Sequence, residues 1–147
     1  MEGDDLDELP DALRTRTAYL LTRAAARVNA MGERDLEPLG ITPREYSVLE
    51  VLAEESPLSQ TRIAAILGLD RTTILKLGAS LEQKKLVVRA RDKDDKRAYA
   101  VALTKSGERA REQAFTLLTD CEHRFLQPLA GRDRARLTDL LSRVVEM

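Results

Sequence analysis

The sequence is poor in the residues on which most catalytic and metal sites depend. It contains one cysteine, Cys121, and one histidine, His123, among 147 residues. A single cysteine cannot form an internal disulfide, which agrees with a reducing compartment. On a helix, side chains two residues apart point about 200° away from each other, so these two do not form a ligand pair. With no phosphate-cradling glycine loop either, we predict no metal, no cofactor and no enzymatic activity.

Long apolar runs are also absent. No stretch approaches the roughly 18 apolar residues that a membrane-spanning helix needs. The acidic start, MEGDDLDELPD, does not resemble a signal peptide, which has a basic head and an apolar centre. We therefore expect a soluble cytoplasmic protein with no membrane partner. The length suits one domain with a real core, or a small domain plus oligomerising helices.

Charge is distributed unevenly, although the net charge is only −1. Residues 1–59 carry 6 basic and 13 acidic side chains, residues 60–105 carry 11 and 5, and residues 106–147 carry 7 and 7. The basic excess is therefore concentrated in the middle segment. Such a patch is expected where a protein meets phosphates, and a solvated charged face is the alternative.

The middle segment begins with QTRIAAILGLDRTTILKLGASL (60–81), which is typical of two short helices joined by a tight turn. Ile63, Ala64 and Leu67 share one side of the first helix. Gly68 suits a left-handed residue at the helix end, since glycine adopts that conformation at little cost. The pattern favours a helix-turn-helix. An ordinary helical hairpin in a bundle is the alternative.

The second helix of this pair has one apolar and one polar face. Asp70 is a good N-cap, and Ile74, Leu77 and Leu81 recur at the spacing of a buried stripe. Gly78 lies inside the helix at a cost of about 0.5–1 kcal/mol relative to alanine. This suggests that the helix packs closely against a neighbour at Gly78 or that the helix is flexible. The outward positions are Arg71, Thr72, Leu75, Lys76 and Ala79.

Two β-type runs, LVVRAR (86–91) and RAYAVAL (97–103), flank the charged turn DKDDK (92–96) and predict a hairpin. A hairpin directly after a helix-turn-helix is a wing. Upstream, residues 42–45 (TPRE) form a capping box that opens a helix, and Pro57-Leu58 could supply a short third strand.

Three further helices are expected at the chain ends. The first spans Asp11–Met31 with Gly32 past its end, the second runs from Lys105 to about Leu126, and the last covers Arg132–Met147. The apolar stripes of these helices must be buried against another surface, and we expect a second copy of the chain to provide it. The alternative is that the helices bury one another within a monomer. In the second of these helices, the side chains expected to face a partner are Ala110, Ala114, Leu117 and Leu118.

In this order the segments resemble the MarR family of winged-helix regulators. The matching stretches are ITPREYSVLEVLAE, PLSQTRIAAILGLDRTTILKLGASLEQKKLV, DKDDKR and LTKSGERA. The resemblance implies a mainly α fold with a small β wing, in which a winged helix-turn-helix domain (36–103) is flanked by dimerisation helices (1–35 and 104–147). Within the first of these, the acidic residues 1–9 are expected to be disordered. Lys85 departs from the family pattern, since it replaces the glycine that normally ends the recognition helix.

The motif, the wing and the charge predict sequence-specific binding to double-stranded DNA, with two protomers on a near-palindromic operator. The resemblance implies a homodimeric regulator of transcription, for which we expect repression, with activation as the alternative. The recognition helix would contact the major groove. Its predicted contact residues are Arg71, Thr72, Thr73, Leu75 and Lys76, with Ser59 and Gln60 on the DNA backbone. The wing would bring four basic residues to the minor groove: Arg91, Lys93, Lys96 and Arg97. The resemblance assigns Asp92 and Asp95 to orienting the wing arginine.

A small aromatic or anionic effector is implied by the resemblance, bound between the dimerising helices and the winged domain. Residues that could contribute to such a cleft are Arg16, Tyr19, Arg23, Tyr46 and His123, each of which also fits a core or surface role. For Cys121, a redox sensor is the alternative to a packed thiol. For the whole chain, the alternative function is a winged-helix protein-interaction module without specific DNA binding.

Overall fold

The computed structural model describes residues 6–94 and 99–146, so the predicted roles of Asp95, Lys96 and Arg97 and the predicted disorder of residues 1–5 lie outside it. Leu6–Glu8 form a 3₁₀ turn, although disorder was expected there. The helices of the described residues are α1 (Asp11–Arg14), α2 (Thr17–Leu36), α3 (Pro43–Glu54), α4 (Gln60–Leu67), α5 (Arg71–Gln83), α6 (Lys105–Phe125) and α7 (Gly131–Val145). The strands are β1 (Leu58–Ser59), β2 (Val87–Arg91) and β3 (Tyr99–Leu103). None of these helices combines the length and apolar character that crossing a membrane requires.

The three strands form an antiparallel sheet in the order β1-β3-β2. Leu58 pairs with Val101, and Val87 pairs with Leu103. Because side chains alternate along a strand, Val87 and Val101 share the face that is turned toward the helices, and both are buried. The predicted wing hairpin and the predicted short third strand are therefore both present.

The chain divides into two compact units, Met1–Met31 with Cys121–Met147 and Gly32–Asp120. We call them the terminal unit and the central unit. The central unit has an apolar core to which α3, α4, α5 and the sheet all contribute. Its fully buried side chains include Leu36, Leu49, Leu52, Ile63 and Leu81.

Helix α6 supplies part of the cover of this core. Ala114 is fully buried in the core, and Ala110, Leu117 and Leu118 pack against it. The prediction that these four side chains face a partner was therefore wrong, because the central unit's own core takes them up. For the same reason the central unit extends to Asp120, beyond the expected end of the winged domain at residue 103.

The first long helix differs from the prediction of one helix over Asp11–Met31. It is interrupted after Arg14, where the amide of Arg16 donates to the carbonyl of Leu13 instead of to the carbonyl four residues back. It also continues through Gly32 to Leu36. A Cβ on Gly32 would lie 3.2 Å from side-chain atoms of both Leu118 and Pro43. The absence of a side chain at Gly32 therefore lets these two residues pack closely against α2.

The end of α5 provides a test of backbone strain. Lys85 has φ 61°, the left-handed conformation for which the family's usual glycine is suited. Replacing Lys85 by glycine should raise the unfolding free energy by about 0.5–1 kcal/mol, because relief of the left-handed strain exceeds glycine's extra unfolded-state entropy. Urea unfolding at fixed protein concentration measures the change. Gln83→Gly, at a helical position, should instead destabilise the protein, and equal effects of the two variants would contradict the strain argument.

Candidate DNA-binding surface

The two helices of the predicted motif are joined and capped as the sequence indicated. Gly68 ends α4 with φ 64° and ψ 35°. The carboxylate of Asp70 then accepts hydrogen bonds from the amide of Thr73 at 2.7 Å and from its hydroxyl at 2.9 Å. These bonds hold the pKa of Asp70 below its ordinary value, so the carboxylate stays ionised at the positive end of the helix dipole.

Helix α5 presents a polar face to solvent. Ile74 and Leu81 point into the core, at 3% and 0% exposure, and fix the orientation of the helix. Arg71, Thr72 and Lys76 are exposed on the other side, and Leu75 is 37% exposed among them. The predicted recognition residues therefore share an accessible face. Thr73 is half-buried, and its hydroxyl donates to Asp70, so only its acceptor capacity remains for DNA.

The predicted backbone contact of Gln60 is wrong. Gln60 is only 4% exposed, and among the described residues its side-chain amide has no hydrogen-bond partner. It packs against α5, where a Cβ on Gly78 would lie 2.2 Å from the Gln60 Nε2. Gly78 thus makes the space that Gln60 occupies. Its neighbour Ser59 is half-buried, and its hydroxyl accepts from the amide of Arg62 at 3.1 Å, so Ser59 caps α4. Its contact with the DNA backbone stays a prediction.

The wing carries exposed basic side chains at the end of β2. Arg91 and Lys93 are both exposed. The Arg91 guanidinium lies 5.7 Å from the ring centroid of Tyr99, its cross-strand partner. Asp92 accepts from the amide of Asp94 at 2.8 Å and so stabilises the turn itself.

Arg89 anchors the base of the wing to α5, a role that no motif in the sequence predicts. Its guanidinium lies 5.2 Å from the Tyr99 ring centroid and donates to Glu82 at 3.2 Å. The amide of Arg89 also donates to the same carboxylate. The hydrogen bonds from Arg89 hold the pKa of Glu82 below its ordinary value. These contacts connect the wing to the helix that carries the predicted recognition residues.

A buried carboxylate fixes α5 to α3. Glu45 is 3% exposed and accepts from Ser80 Oγ at 2.5 Å and from Lys84 Nζ at 2.8 Å. It also accepts from the amide of Thr42 in the predicted capping box. Burial alone would raise the pKa of Glu45, but the hydrogen bonds from Lys84, Ser80 and Thr42 outweigh it and lower the pKa.

Acid titration tests this network. Because the folded pKa of Glu45 lies below its unfolded value, the unfolded chain binds more protons as the pH falls, and the stabilisation present near pH 7 is lost in acid. Glu45→Gln should lower the unfolding free energy at pH 7 by about 2–4 kcal/mol, since it leaves Lys84 without its partner. The difference from the wild type should shrink as the pH is lowered through 4.5. Denaturant titrations at several pH values measure it. The exposed Glu54→Gln is the control, and a difference that does not depend on pH would contradict the assignment.

Arg44 is a further basic residue at this surface, and the sequence predicts it only as part of the capping box. It lies in the first turn of α3 and is exposed. Together with Thr42 and Glu45 it faces Thr73 and Lys76 of α5 across a groove of about 410 Å³. Its position directly after the helix-starting proline predicts only that Arg44 lies in the first turn of α3. Its proximity to α5 depends on tertiary packing, which the sequence does not show.

The residues predicted to line an effector cleft belong to both units. In the terminal unit, Arg16 and His123 are exposed, and the Arg23 guanidinium donates to the Tyr19 hydroxyl at 3.3 Å. In the central unit, the Tyr46 hydroxyl donates to Glu50 at 2.6 Å. Burial raises the pKa of Tyr46, and the Glu50 carboxylate raises it further, so the hydroxyl stays protonated. The structure thus brings Tyr19 and Arg23 into contact, and the effector site stays a prediction.

A two-helix reading unit with a capped, outward polar face, followed by an antiparallel hairpin, defines a winged helix-turn-helix protein. Comparison with known proteins agrees. A profile of the MarR family matches residues 39–98. The transcriptional repressor CouR bound to a 23-mer DNA duplex is 30% identical, with a TM-score of 0.85 over 94% of this chain and 99% of that one.

Two further proteins are similar to this chain: a ligand-bound structure of CouR, and a relative known from its sequence. CouR from Rhodococcus jostii RHA1 bound to p-coumaroyl-CoA is 29% identical, with a TM-score of 0.80 over 92% of this chain and 95% of that one. A proposed transcriptional regulatory protein for the hcr operon of Thauera aromatica is 32% identical over 105 residues, or 71% of this chain, and the match spans 63% of that protein's length. The chain belongs to the MarR family of transcriptional regulators.

Proposed function

We propose that this protein represses transcription by binding a near-palindromic operator as a homodimer, with α5 of each protomer in the major groove. The outward face of α5 is the observation that carries this proposal. Arg71, Thr72, Leu75 and Lys76 are exposed on a helix whose opposite face is held in the core. A major groove about 12 Å wide admits one helix and presents a different hydrogen-bonding pattern for each base pair.

The side chains suggest a division of roles along this face. Arg71 and Thr72 lie at the start of α5 and can reach phosphates or base edges, whereas Lys76 lies more than one turn further on. Leu75 can contact a thymine methyl group. The wing residues Arg91 and Lys93, together with the predicted contacts Lys96 and Arg97, would lie at the adjoining minor groove, where a narrow A·T-rich form attracts basic side chains.

The homodimer is supported by the apolar faces of the terminal unit. On α7, Leu140, Val144 and Val145 are 43%, 63% and 82% exposed. Leu20 and Leu21 on α2 are 38% and 41% exposed. Burial of such side chains against a second copy removes a large apolar area from water. Size-exclusion chromatography with light scattering at micromolar concentration should give twice the chain mass, and a monomer would remove the dimer from the proposal.

Repression and release by a small molecule are supported by similarity. CouR is described as a repressor, and one of its structures contains p-coumaroyl-CoA. We propose an aromatic or anionic effector for this chain, with the predicted residues of the terminal unit, Arg16, Tyr19, Arg23 and His123, as candidate contacts. The effector would release DNA only if it binds the DNA-free conformation more tightly. Aromatic acids and their CoA thioesters, titrated into the protein–operator complex, should lower fluorescence anisotropy in at least one case.

Selection from random duplexes tests the DNA function. The expected result is an enriched, near-palindromic sequence whose half-sites lie about one helical turn apart. A shift assay with the DNA flanking the gene should show the same preference, and a reporter carrying that site should be less active when the protein is present. Absence of any enriched sequence would overturn the proposal in favour of a protein-interaction module.

A further inference from the structure

The groove between the first turn of α3 and the side of α5 is lined by cationic and hydroxyl-bearing residues. Its volume of about 410 Å³ exceeds what one phosphate group needs. Arg44 lies on the α3 side and Lys76 on the α5 side, and both are exposed. Among the described residues, neither forms an ion pair or a side-chain hydrogen bond. The groove therefore holds two positive charges that other parts of the described chain do not neutralise.

Glu45 is the one carboxylate among the described residues that line the groove, and it does not offset these charges. Its two oxygens accept from Lys84 Nζ at 2.9 and 2.8 Å. The lowered pKa of Glu45 shows that Lys84 and its other donors stabilise the negative charge where it lies. Since Lys84 neutralises Glu45, Arg44 and Lys76 leave the groove with a net positive charge, which favours an anion.

The position of the groove indicates which anion it would bind. A helix seated in a major groove has one phosphate backbone along each of its sides, and backbone contacts set the register of the protein on the duplex. The groove runs along the side of α5 that faces α3, and Thr73 and Ser80 lie in the same wall. A phosphate entering there would meet Arg44 from one helix while α5 contacts the bases.

We propose that this groove binds one backbone phosphate of the operator in each half-site, with Arg44 as its principal ligand. This inference rests on the proposed function and adds a positioning contact to it. Arg44 would hold α5 in register without reading sequence, because a phosphate is the same beside every base pair.

The salt dependence of operator binding by the full-length protein tests the proposal. The Arg44→Ala variant should bind its selected operator about tenfold or more weakly at 0.1 M salt, and the slope of log K against log salt should fall by about 1.8, or 0.9 for each half-site. Arg44→Lys should retain most of the slope because the charge is kept. Arg132→Ala, which removes an exposed arginine at the start of α7, should leave the slope unchanged. Random-duplex selection with Arg44→Ala should return the wild-type sequence.

The outcomes separate this inference from the proposed function. If the wild type binds its operator and Arg44→Ala keeps the full slope, the phosphate contact is wrong while the DNA function stands. A changed sequence preference in Arg44→Ala would assign the arginine to base reading and would also overturn the proposal. Calorimetry with inorganic phosphate at constant ionic strength tests whether the groove binds a free phosphate ion instead of a DNA phosphate. Binding that depends on Arg44, combined with an unchanged DNA slope, would assign the groove to a free anion.

Discussion

Replacing Gly107 by alanine is expected to lower the unfolding free energy by at least about 3 kcal/mol. A Cβ at this position would lie 2.0 Å from the carbonyl oxygen of Leu86 and 2.7 Å from a methyl carbon of Leu103. The Leu86 carbonyl cannot easily move, because it accepts from the Thr104 amide at 3.1 Å and from the Thr104 hydroxyl at 2.9 Å. The clash should therefore break the connection between the sheet and the start of α6.

Helix propensity alone predicts the opposite sign, since alanine is favoured over glycine in a helix interior by about 1 kcal/mol. Urea unfolding followed by circular dichroism decides between the two effects. Gly131→Ala is the matched control, because a Cβ on Gly131 has no neighbour within 4 Å at the start of α7. A Gly107→Ala variant as stable as the wild type would show that the Leu86 carbonyl is not held where we describe it.

Loss of the two exposed cations on α5 is expected to abolish most operator affinity. The double variant Arg71→Ala with Lys76→Ala should bind the selected operator at least about a hundredfold more weakly, because contacts of charged groups are worth about 1.5–3 kcal/mol each and a dimer loses them twice. Both side chains are exposed, so the unfolding free energy should change by no more than about 0.5 kcal/mol. Fluorescence anisotropy at several salt concentrations measures the loss.

The control for this variant must remove the same charge elsewhere. Arg132→Ala with Arg136→Ala does so on the exposed surface of α7 and should leave operator affinity within about threefold. Lys76→Ala alone should alter the preference at one base position in each half-site if the lysine reads a base edge. Operator binding that survives the double variant would mean that α5 is not the element that contacts the bases.

Local signals made much of the fold predictable. The capping box of Thr42 and Glu45, the left-handed Gly68 and the N-cap Asp70 each depend on residues within a few positions, and all three are present. The β-type residues on either side of the charged turn likewise predicted the hairpin, because that signal requires no knowledge of distant residues. The exposed face of α5 followed from the buried stripe of Ile74 and Leu81.

Long-range packing decided what the sequence could not show. Gln60 is polar and lies in the first turn of a helix, so exposure was the natural expectation, yet its environment depends on Gly78 in another helix. Glu45 was recognised as a capping residue, but its second role depends on Ser80 and Lys84, 35 and 39 positions away. The close approach of Leu118 to Gly32 likewise joins residues that are far apart along the chain.

The contact between Gln60 and Gly78 couples these two positions in the variation of this sequence. A Cβ at position 78 would lie 2.2 Å from the Gln60 Nε2, so either the Gln60 side chain would move or position 60 would hold a smaller residue. Moving the amide breaks no hydrogen bond among the described residues. Descendants of this sequence that lose the glycine should therefore often carry a shorter side chain at position 60 as well.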